Sequence, residues 1–304
     1  MSSENRDGAA SARTGGNVRE FFDSVAASYG QGRYFELRRA AVFQILVPYL
    51  ANAARILDLG CGNGIYLVEL CKLGKLHRPV GMDISAAMLA KARGQLGSEA
   101  EFVRGDAAAI PFKANSWDLV ICSHVLLFVK ELHRCVADIA RCLRPGGLLV
   151  MTTAPNLLVR LRQMLGKEIF AEFGRVAVGT PAVTEPATSE EDYRHACLET
   201  GLGVESKTAH FELDRASIEN SLRAILARFA APEVVNRTLD SVQAALGSNT
   251  RLSLTEPLLL IVTAQKLRKF ETGRTHEGLQ KLYTIRSASA VCQQYSRSSN
   301  AINS

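Results

Sequence analysis

Short apolar runs alternate with amphipathic stretches between about residues 55 and 153. The strand candidates lie at residues 56–59, 80–85, 102–107, 117–124 and 143–150. Between them, apolar residues recur at helical spacing, for example Leu132, Cys135, Val136, Ile139 and Leu143. Strands that alternate with helices in this way predict a parallel sheet with helices on both faces.

The flanking segments follow other patterns. Residues 18–29 predict a short amphipathic helix, and a second helix is predicted over residues 34–47, with Pro48 placed to end it. Further on, Ser189 is placed to cap a helix that ends at Gly201. A sixth strand is predicted at residues 204–213 and a seventh at residues 257–264.

A glycine-rich turn follows the first predicted strand. Gly60, Gly62 and Gly64 allow a sharp turn and a close approach of bare backbone to a ligand, and a helical pattern begins directly afterwards. Strand, glycine turn and helix form the plan of a nucleotide-type cofactor site. Dinucleotide-binding dehydrogenases require G-x-G-x-x-G, so the G-x-G-x-G spacing found here disfavours them.

Acidic residues at the ends of the next two strands complete the pattern. Asp83 ends the second strand, where an acid can accept hydrogen bonds from a ribose diol, and Asp106 ends the third. The D-L-G-C-G-N-G stretch at residues 58–64 resembles motif I of the class I S-adenosylmethionine (SAM) methyltransferases. Five motifs in the family's order cover about residues 55–153.

This resemblance implies an α/β fold: a doubly wound, Rossmann-like, seven-stranded and mostly parallel sheet with helices on both faces, an antiparallel last strand and a helical lid. It also implies SAM as the cofactor. The cofactor-binding residues that we predict are Tyr29, Asp58, Gly60, Cys61, Gly62, Asp83, Ile84, Met88, Asp106, Ala107 and Ser123. The segment 21–29 resembles the helix before the core of ubiquinone/menaquinone C-methyltransferases, in which the tyrosine covers the methionine end of SAM. Simple packing on the sheet is the alternative role for Tyr29.

The catalytic half of the site is less marked in the sequence. Methyl transfer requires an in-line approach of the acceptor, and much of the rate can come from positioning and exclusion of water. If a base is used, His124 after the fourth strand is the first candidate, and Glu168 in the predicted lid and His195 after it are weaker ones. The alternative role for His124 is to form a wall of the pocket or a backbone contact to the cofactor. No metal site is predicted, since Asp118 starts its strand and lies at the wrong end for one.

Charge and composition narrow the choice of partners. The net charge is +6, but residues 266–304 hold seven Lys/Arg and two Asp/Glu, which leaves the remainder almost neutral. We therefore expect no nucleic-acid partner, because phosphate backbones require a concentrated basic face. No apolar run reaches the eighteen or so residues of a membrane span. The seven cysteines form no C-x-x-C pair and read as core thiols of a cytoplasmic protein.

The expected organisation is a disordered leader at residues 1–16, a methyltransferase domain at 17–265 and a basic flexible tail at 266–304. Within the domain we expect a lid at 155–188 and a helical insertion at 214–247, which could extend the substrate wall or form the contact of a homodimer. The expected function is methyl transfer to an oxygen or carbon atom of a small apolar or aromatic metabolite. An RNA or protein methyltransferase and a catalytically silent SAM-binding partner are the alternatives.

Overall fold

The computed structural model describes residues 15–50, 53–74, 78–152, 161, 165–166, 189–227, 230–247 and 251–263. Two helices come first: α1 (Gly15–Val25) and α2 (Arg33–Leu50). The central part then alternates β1 (Ile56–Leu59), α3 (Ile65–Lys72), β2 (Val80–Asp83), α4 (Ala86–Leu96), β3 (Glu101–Arg104), β4 (Trp117–Ser123), α5 (Leu132–Cys142) and β5 (Leu143–Thr152). The last described elements are α6 (Glu190–Glu199), β6 (Leu202–Asp214), α7 (Arg215–Leu226), α8 (Pro232–Leu246) and β7 (Arg251–Thr263).

The strands form one sheet in the order β3-β2-β1-β4-β5-β7-β6. Strands β1 to β5 pair in parallel, whereas β7 runs antiparallel to both β5 and β6. The prediction of a mostly parallel α/β sheet is therefore confirmed. Since β1 lies between β2 and β4, the chain leaves β1 and β4 toward opposite sides, and a crevice opens at their carboxyl ends.

Helices cover both faces of this sheet, and each face has its own hydrophobic core. One core joins α2, α3, α7 and α8 to side chains such as Ile56 and Phe211. The other joins α5 and α6 to side chains such as Leu57 and Met151. The strictly buried β1 and the nearly continuous burial of β4 explain why these strands read as apolar runs without alternation.

The ends of the helices and strands agree with most of the local predictions. Ser85 caps α4 by accepting a hydrogen bond from Met88 N, and Ser189 caps α6 in a reciprocal capping box with Asp192. Asp118 lies at the amino end of β4, where its Oδ2 accepts from Arg55 N at 2.8 Å, which agrees with its predicted position. The expectation that Pro48 ends the second helix was wrong, because α2 continues to Leu50. Proline is tolerated there because only the final turn loses a hydrogen bond.

The helical pair α7–α8 stands between β6 and β7, within the predicted insertion at 214–247. The predicted leader, the tail and nearly all of the predicted lid lie outside the described residues. Of the lid, Leu161 is fully buried and Leu165 is partly buried against the α2-side core. Within the described residues, no helix is both long and apolar enough to cross a membrane.

Candidate functional site

A cavity of about 330 Å³ lies at the carboxyl ends of β1 to β4. Its floor comes from the turns that follow these strands, and its outer wall from α1, α2 and the segment between them. The predicted residues that line it are Tyr29, Gly60, Cys61, Gly62, Asp83, Ile84, Met88, Asp106, Ala107, Ser123 and His124. Parallel topology brings these residues together although they are far apart in the sequence.

The glycine turn after β1 forms the innermost part of the floor. Gly60 has φ of 72°, and a Cβ atom there would lie 2.1 Å from the Val125 side chain. Gly62, with φ of 54°, exposes its backbone to the cavity. Only glycine combines this left-handed conformation with the close approach at residue 60.

Asp83 is the acidic group of the floor. Its Oδ2 accepts from Gly62 N at 2.7 Å and its Oδ1 accepts from Ser85 N at 2.8 Å. Burial raises the pKa of this carboxyl, and the hydrogen bonds oppose the rise. A carboxylate has about four acceptor positions, so Asp83 is held in place and still has capacity to accept from a ligand.

Asp58 stands apart from the other predicted cofactor residues, because it does not line the cavity. It lies on buried β1 with 1% exposure, and its Oδ2 has no hydrogen-bond partner among the described residues. Burial, together with the charge of Asp83, raises the pKa of Asp58 to about 8. The raised pKa favours the protonated form of Asp58 at neutral pH.

An aromatic cluster forms the outer wall. The Tyr29 ring packs against Phe22 and Phe35, each at 5.7 Å between centroids, and Phe22 packs edge-on against Phe128 at 5.4 Å. The Tyr29 carbonyl accepts from Asn63 Nδ2 at 2.9 Å, which fastens this wall to the glycine turn.

The helix α1 is fastened to the same floor. Asp23 Oδ1 accepts from Ser85 Oγ at 2.6 Å and from Ala87 N at 3.1 Å, so that α1 is held at the amino end of α4. The Nζ of Lys91 also donates to the Ala27 carbonyl. Both contacts place the α1–α2 connection, including Tyr29, over the cavity.

His124 occupies the β4 end of the cavity in a left-handed backbone conformation, with φ of 57°. Its amide donates to Thr152 Oγ1 at 3.0 Å, and Ser123 Oγ lies 3.2 Å from the same oxygen. Non-glycine residues rarely adopt this conformation, and the Thr152 contact helps to hold it. Of the other candidate bases, Glu168 lies outside the described residues, and His195 is exposed on α6 and does not line the cavity.

Further lining residues were not predicted as site residues from the sequence. They include Phe22, Phe35, Arg38, Asn63, Tyr66 and Phe128. Asn63 could have been found from its place inside the glycine turn. Arg38 could not, since it is a buried cation beside the Tyr34 and Phe35 rings, and helical periodicity gives no signal for a charged residue on a buried face.

Comparisons with known proteins agree with this geometry. A family model described as a methyltransferase domain matches residues 57–151. Demethylmenaquinone methyltransferase of Lactiplantibacillus plantarum is 31% identical over 179 residues, which cover 53% of this chain and 73% of that enzyme. The biotin biosynthesis bifunctional protein BioHC of Cellvibrio japonicus is 32% identical over 149 residues, covering 48% of this chain and only 29% of that larger protein.

Among solved structures, the [4+2]-cyclase SpnF matches with a TM-score of 0.54 at 16% identity, covering 82% of this chain and 96% of the cyclase. At 16% identity, this similarity shows a shared fold and nothing further. The demethylmenaquinone enzyme, in contrast, shares 31% identity with this chain over 73% of its own length, which assigns the family. The chain belongs to the class I S-adenosylmethionine-dependent methyltransferases.

Proposed function

We propose that the protein transfers the methyl group of SAM to an oxygen or carbon atom of a small apolar or aromatic acceptor. The observation that carries this proposal is the aromatic wall of Phe22, Tyr29, Phe35 and Phe128 beside the cavity's cofactor-type floor. An apolar cavity with a few converging polar groups is the usual form of a small-molecule site.

The residues of the floor fit SAM. Asp83, fixed by two backbone amides, has remaining acceptor capacity for the ribose hydroxyls. Asp106 and Ala107, after β3, are assigned to the adenine, and the bare backbone at Gly60 and Gly62 leaves room for the methionine part. Asp58 supports this floor from beneath rather than from the lining.

When bound, SAM supplies an activated methyl group on a positively charged sulfur. The residues of the chain orient the two reactants and exclude water, which favours a reaction in which this charge disappears. Tyr29 covers the cofactor and His124 faces the acceptor. If the acceptor must lose a proton, the His124 imidazole is placed at the β4 end to take it.

The name of the demethylmenaquinone relative suggests a first acceptor class, namely bicyclic aromatic quinols with an apolar substituent. The aromatic wall is compatible with such a ring, because aromatic side chains pack edge-on or offset against it.

We further propose that residues 155–188 border the acceptor. We also propose that the protein works in the cytoplasm, where its buried thiols stay reduced.

The test combines two measurements on the full-length protein. Calorimetric titration with SAM should show binding, and transfer of a labelled methyl group should be seen with a reduced naphthoquinone or another member of a panel of phenols and quinols. Absence of SAM binding would overturn the cofactor assignment. Binding of SAM without transfer to the panel, but with transfer to RNA or protein, would favour the macromolecular alternative, and no transfer to any of them a silent partner.

A further inference from the structure

Three exposed side chains on two neighbouring helices converge outside the cavity. His133 Nδ1, at the start of α5, lies 2.6 Å from Glu199 Oε2 on α6. His195 Nδ1, one turn before Glu199 on α6, lies 3.5 Å from its Oε1. One ligand atom from each residue can be chosen so that all three lie within 4.8 Å of one another.

The packing of α5 against α6 fixes the two backbones that carry this cluster. Cys135, Val136 and Ile139 from α5 share a buried core with Tyr193 and Cys197 from α6. His195 and Glu199 are four residues apart and therefore lie on one face of α6. Rigid elements set the spacing of the cluster, while its exposed side chains remain free to adjust their rotamers.

We propose that His133, His195 and Glu199 bind one divalent transition-metal ion, with zinc as the best match. Two imidazoles and one carboxylate form a donor set that zinc accepts, with water in the fourth position. Zinc–ligand bonds of about 2.0 to 2.2 Å separate tetrahedral ligands by roughly 3.3 Å. The distances of 2.6 and 3.5 Å end on different oxygens of Glu199, and the chosen atoms of the two histidines lie within 4.8 Å of each other. Rotations of the exposed side chains would bring one atom from each residue to the zinc spacing.

The surrounding charges favour a cation. Asp192, one turn before His195, interacts electrostatically with both imidazoles, while its Oδ2 accepts from Ser189 N. Arg194, the basic neighbour of His195, pairs with Glu190 at 3.6 Å and Glu191 at 3.9 Å. The negative charges of Asp192 and Glu199 therefore lie beside two histidines that are neutral when they bind a metal.

In the sequence, His195 was only a weak candidate for a catalytic base, and neither His133 nor Glu199 belongs to a local motif. No metal site was predicted from the sequence, so the proposed ion departs from that prediction. A bound ion at His133, His195 and Glu199 would join α5 to α6 and stabilise the native packing of α6. None of the three residues lines the cavity, so this inference is independent of methyl transfer.

Zinc titration of the full-length protein, first freed of metal with a chelator, tests the proposal. Calorimetry should show one saturable site, and zinc should raise the melting temperature because it binds only the native arrangement. His133→Ala and His195→Ala should each weaken binding at least about tenfold, since even the loss of partners one step removed from a metal costs 10- to 100-fold. His210→Ala, which removes an exposed histidine on β6, serves as the matched control and should leave binding unchanged.

Two outcomes would overturn the site. One is the absence of saturable zinc binding by the wild-type protein. The other is undiminished binding by the His133→Ala/His195→Ala double variant, which would place the ion on thiols or elsewhere. Because all three side chains are more than half exposed, the variants are expected to fold, and circular dichroism checks this.

Discussion

At the scale of single residues, Asp83 connects the cavity floor to the proposed cofactor. Asp83→Ala should remove charge-assisted hydrogen bonds worth roughly 1.5 to 3 kcal/mol and raise the dissociation constant for SAM about ten- to a hundredfold. Calorimetric titration measures this change. Asp240→Ala, at an exposed acid on α8, is the control and should bind SAM normally. Unchanged affinity in a folded Asp83→Ala protein would remove Asp83 from the site.

The raised pKa of buried Asp58 leads to a prediction about the stability of the fold. Its folded pKa of about 8 exceeds the ordinary value of 3.8, so the native state keeps a proton that the unfolded state releases. The contribution of Asp58 to the free energy of unfolding therefore falls as pH rises from about 4 to 8, by at most roughly 1.4 kcal/mol per pH unit. Asp58→Asn removes this titration.

Denaturant unfolding at about pH 5 and pH 8 compares the two proteins. Between these two pH values the wild type should lose more stability than Asp58→Asn. Unfolding of the wild type releases the Asp58 proton more favourably as the pH rises, whereas the variant has no titrating group at this position. Equal pH dependence in both proteins would show that Asp58 is ionised, and compensated, in the native state.

His124 can be tested without disturbing its backbone. Asparagine tolerates the left-handed conformation that residue 124 adopts, so His124→Asn should fold and bind SAM normally. If the imidazole acts as a base, kcat should fall about 100- to 10,000-fold and the acidic limb of the pH–rate profile should disappear. Normal kcat with a changed KM for the acceptor would leave His124 with a role in lining the pocket only.

At the scale of elements, the start of the predicted lid is anchored to the core. Leu161 is fully buried in the core that contains α2 and α7, and Leu165 packs against it. Leu161→Ala should therefore lower the free energy of unfolding by about 2 to 5 kcal/mol, with the acceptor KM unchanged. Phe173→Ala, in the same predicted lid, should instead impair acceptor use at nearly constant SAM affinity.

Chemical denaturation and steady-state kinetics on both variants separate these roles. A loss of stability in Phe173→Ala, without an effect on the acceptor, would make the segment a packing layer throughout. Conversely, a strong effect of Leu161→Ala on the acceptor KM would move the boundary of the functional part toward the start of the segment.

The same scale shows which features the sequence could predict. Acids and glycines directly after apolar runs predicted that Asp83, Asp106 and the glycine turn lie together, because parallel topology brings strand ends to one edge, and all of them line the cavity. The outer wall was less predictable, since Phe35 and Phe128 reach the cavity through tertiary packing of α2 and of the turn after β4. The α5–α6 histidine cluster was missed for the same reason: its members share no local motif.

At the scale of the whole molecule, the two cores have different relations to the site. The α5–α6 core supports the β4 and β5 ends, and the α2–α7–α8 core supports the wall that carries Phe35 and Arg38. The insertion between β6 and β7 reaches this wall indirectly, since α7 packs against α2. Its predicted roles, in extending the substrate wall or in forming a subunit contact, stay predictions.

Charge is also divided unequally along the molecule, and this leads to the last prediction. Residues 266–304 carry seven basic and two acidic side chains, and these account for most of the chain's net charge of +6. A protein ending at Lys266 retains every described element, since β7 ends at Thr263. It should keep its melting temperature and its affinity for SAM, as measured by thermal unfolding and calorimetry.

Polyanion binding is expected to respond in the opposite way. Any affinity of the full chain for RNA should fall steeply with added salt, because it depends on counterion release, and it should be lost on truncation. The full chain and the truncated chain can be compared by fluorescence anisotropy at low and moderate salt. Salt-resistant RNA binding that survives truncation would contradict the small-molecule assignment, because it would place a nucleic-acid surface on the nearly neutral methyltransferase domain itself.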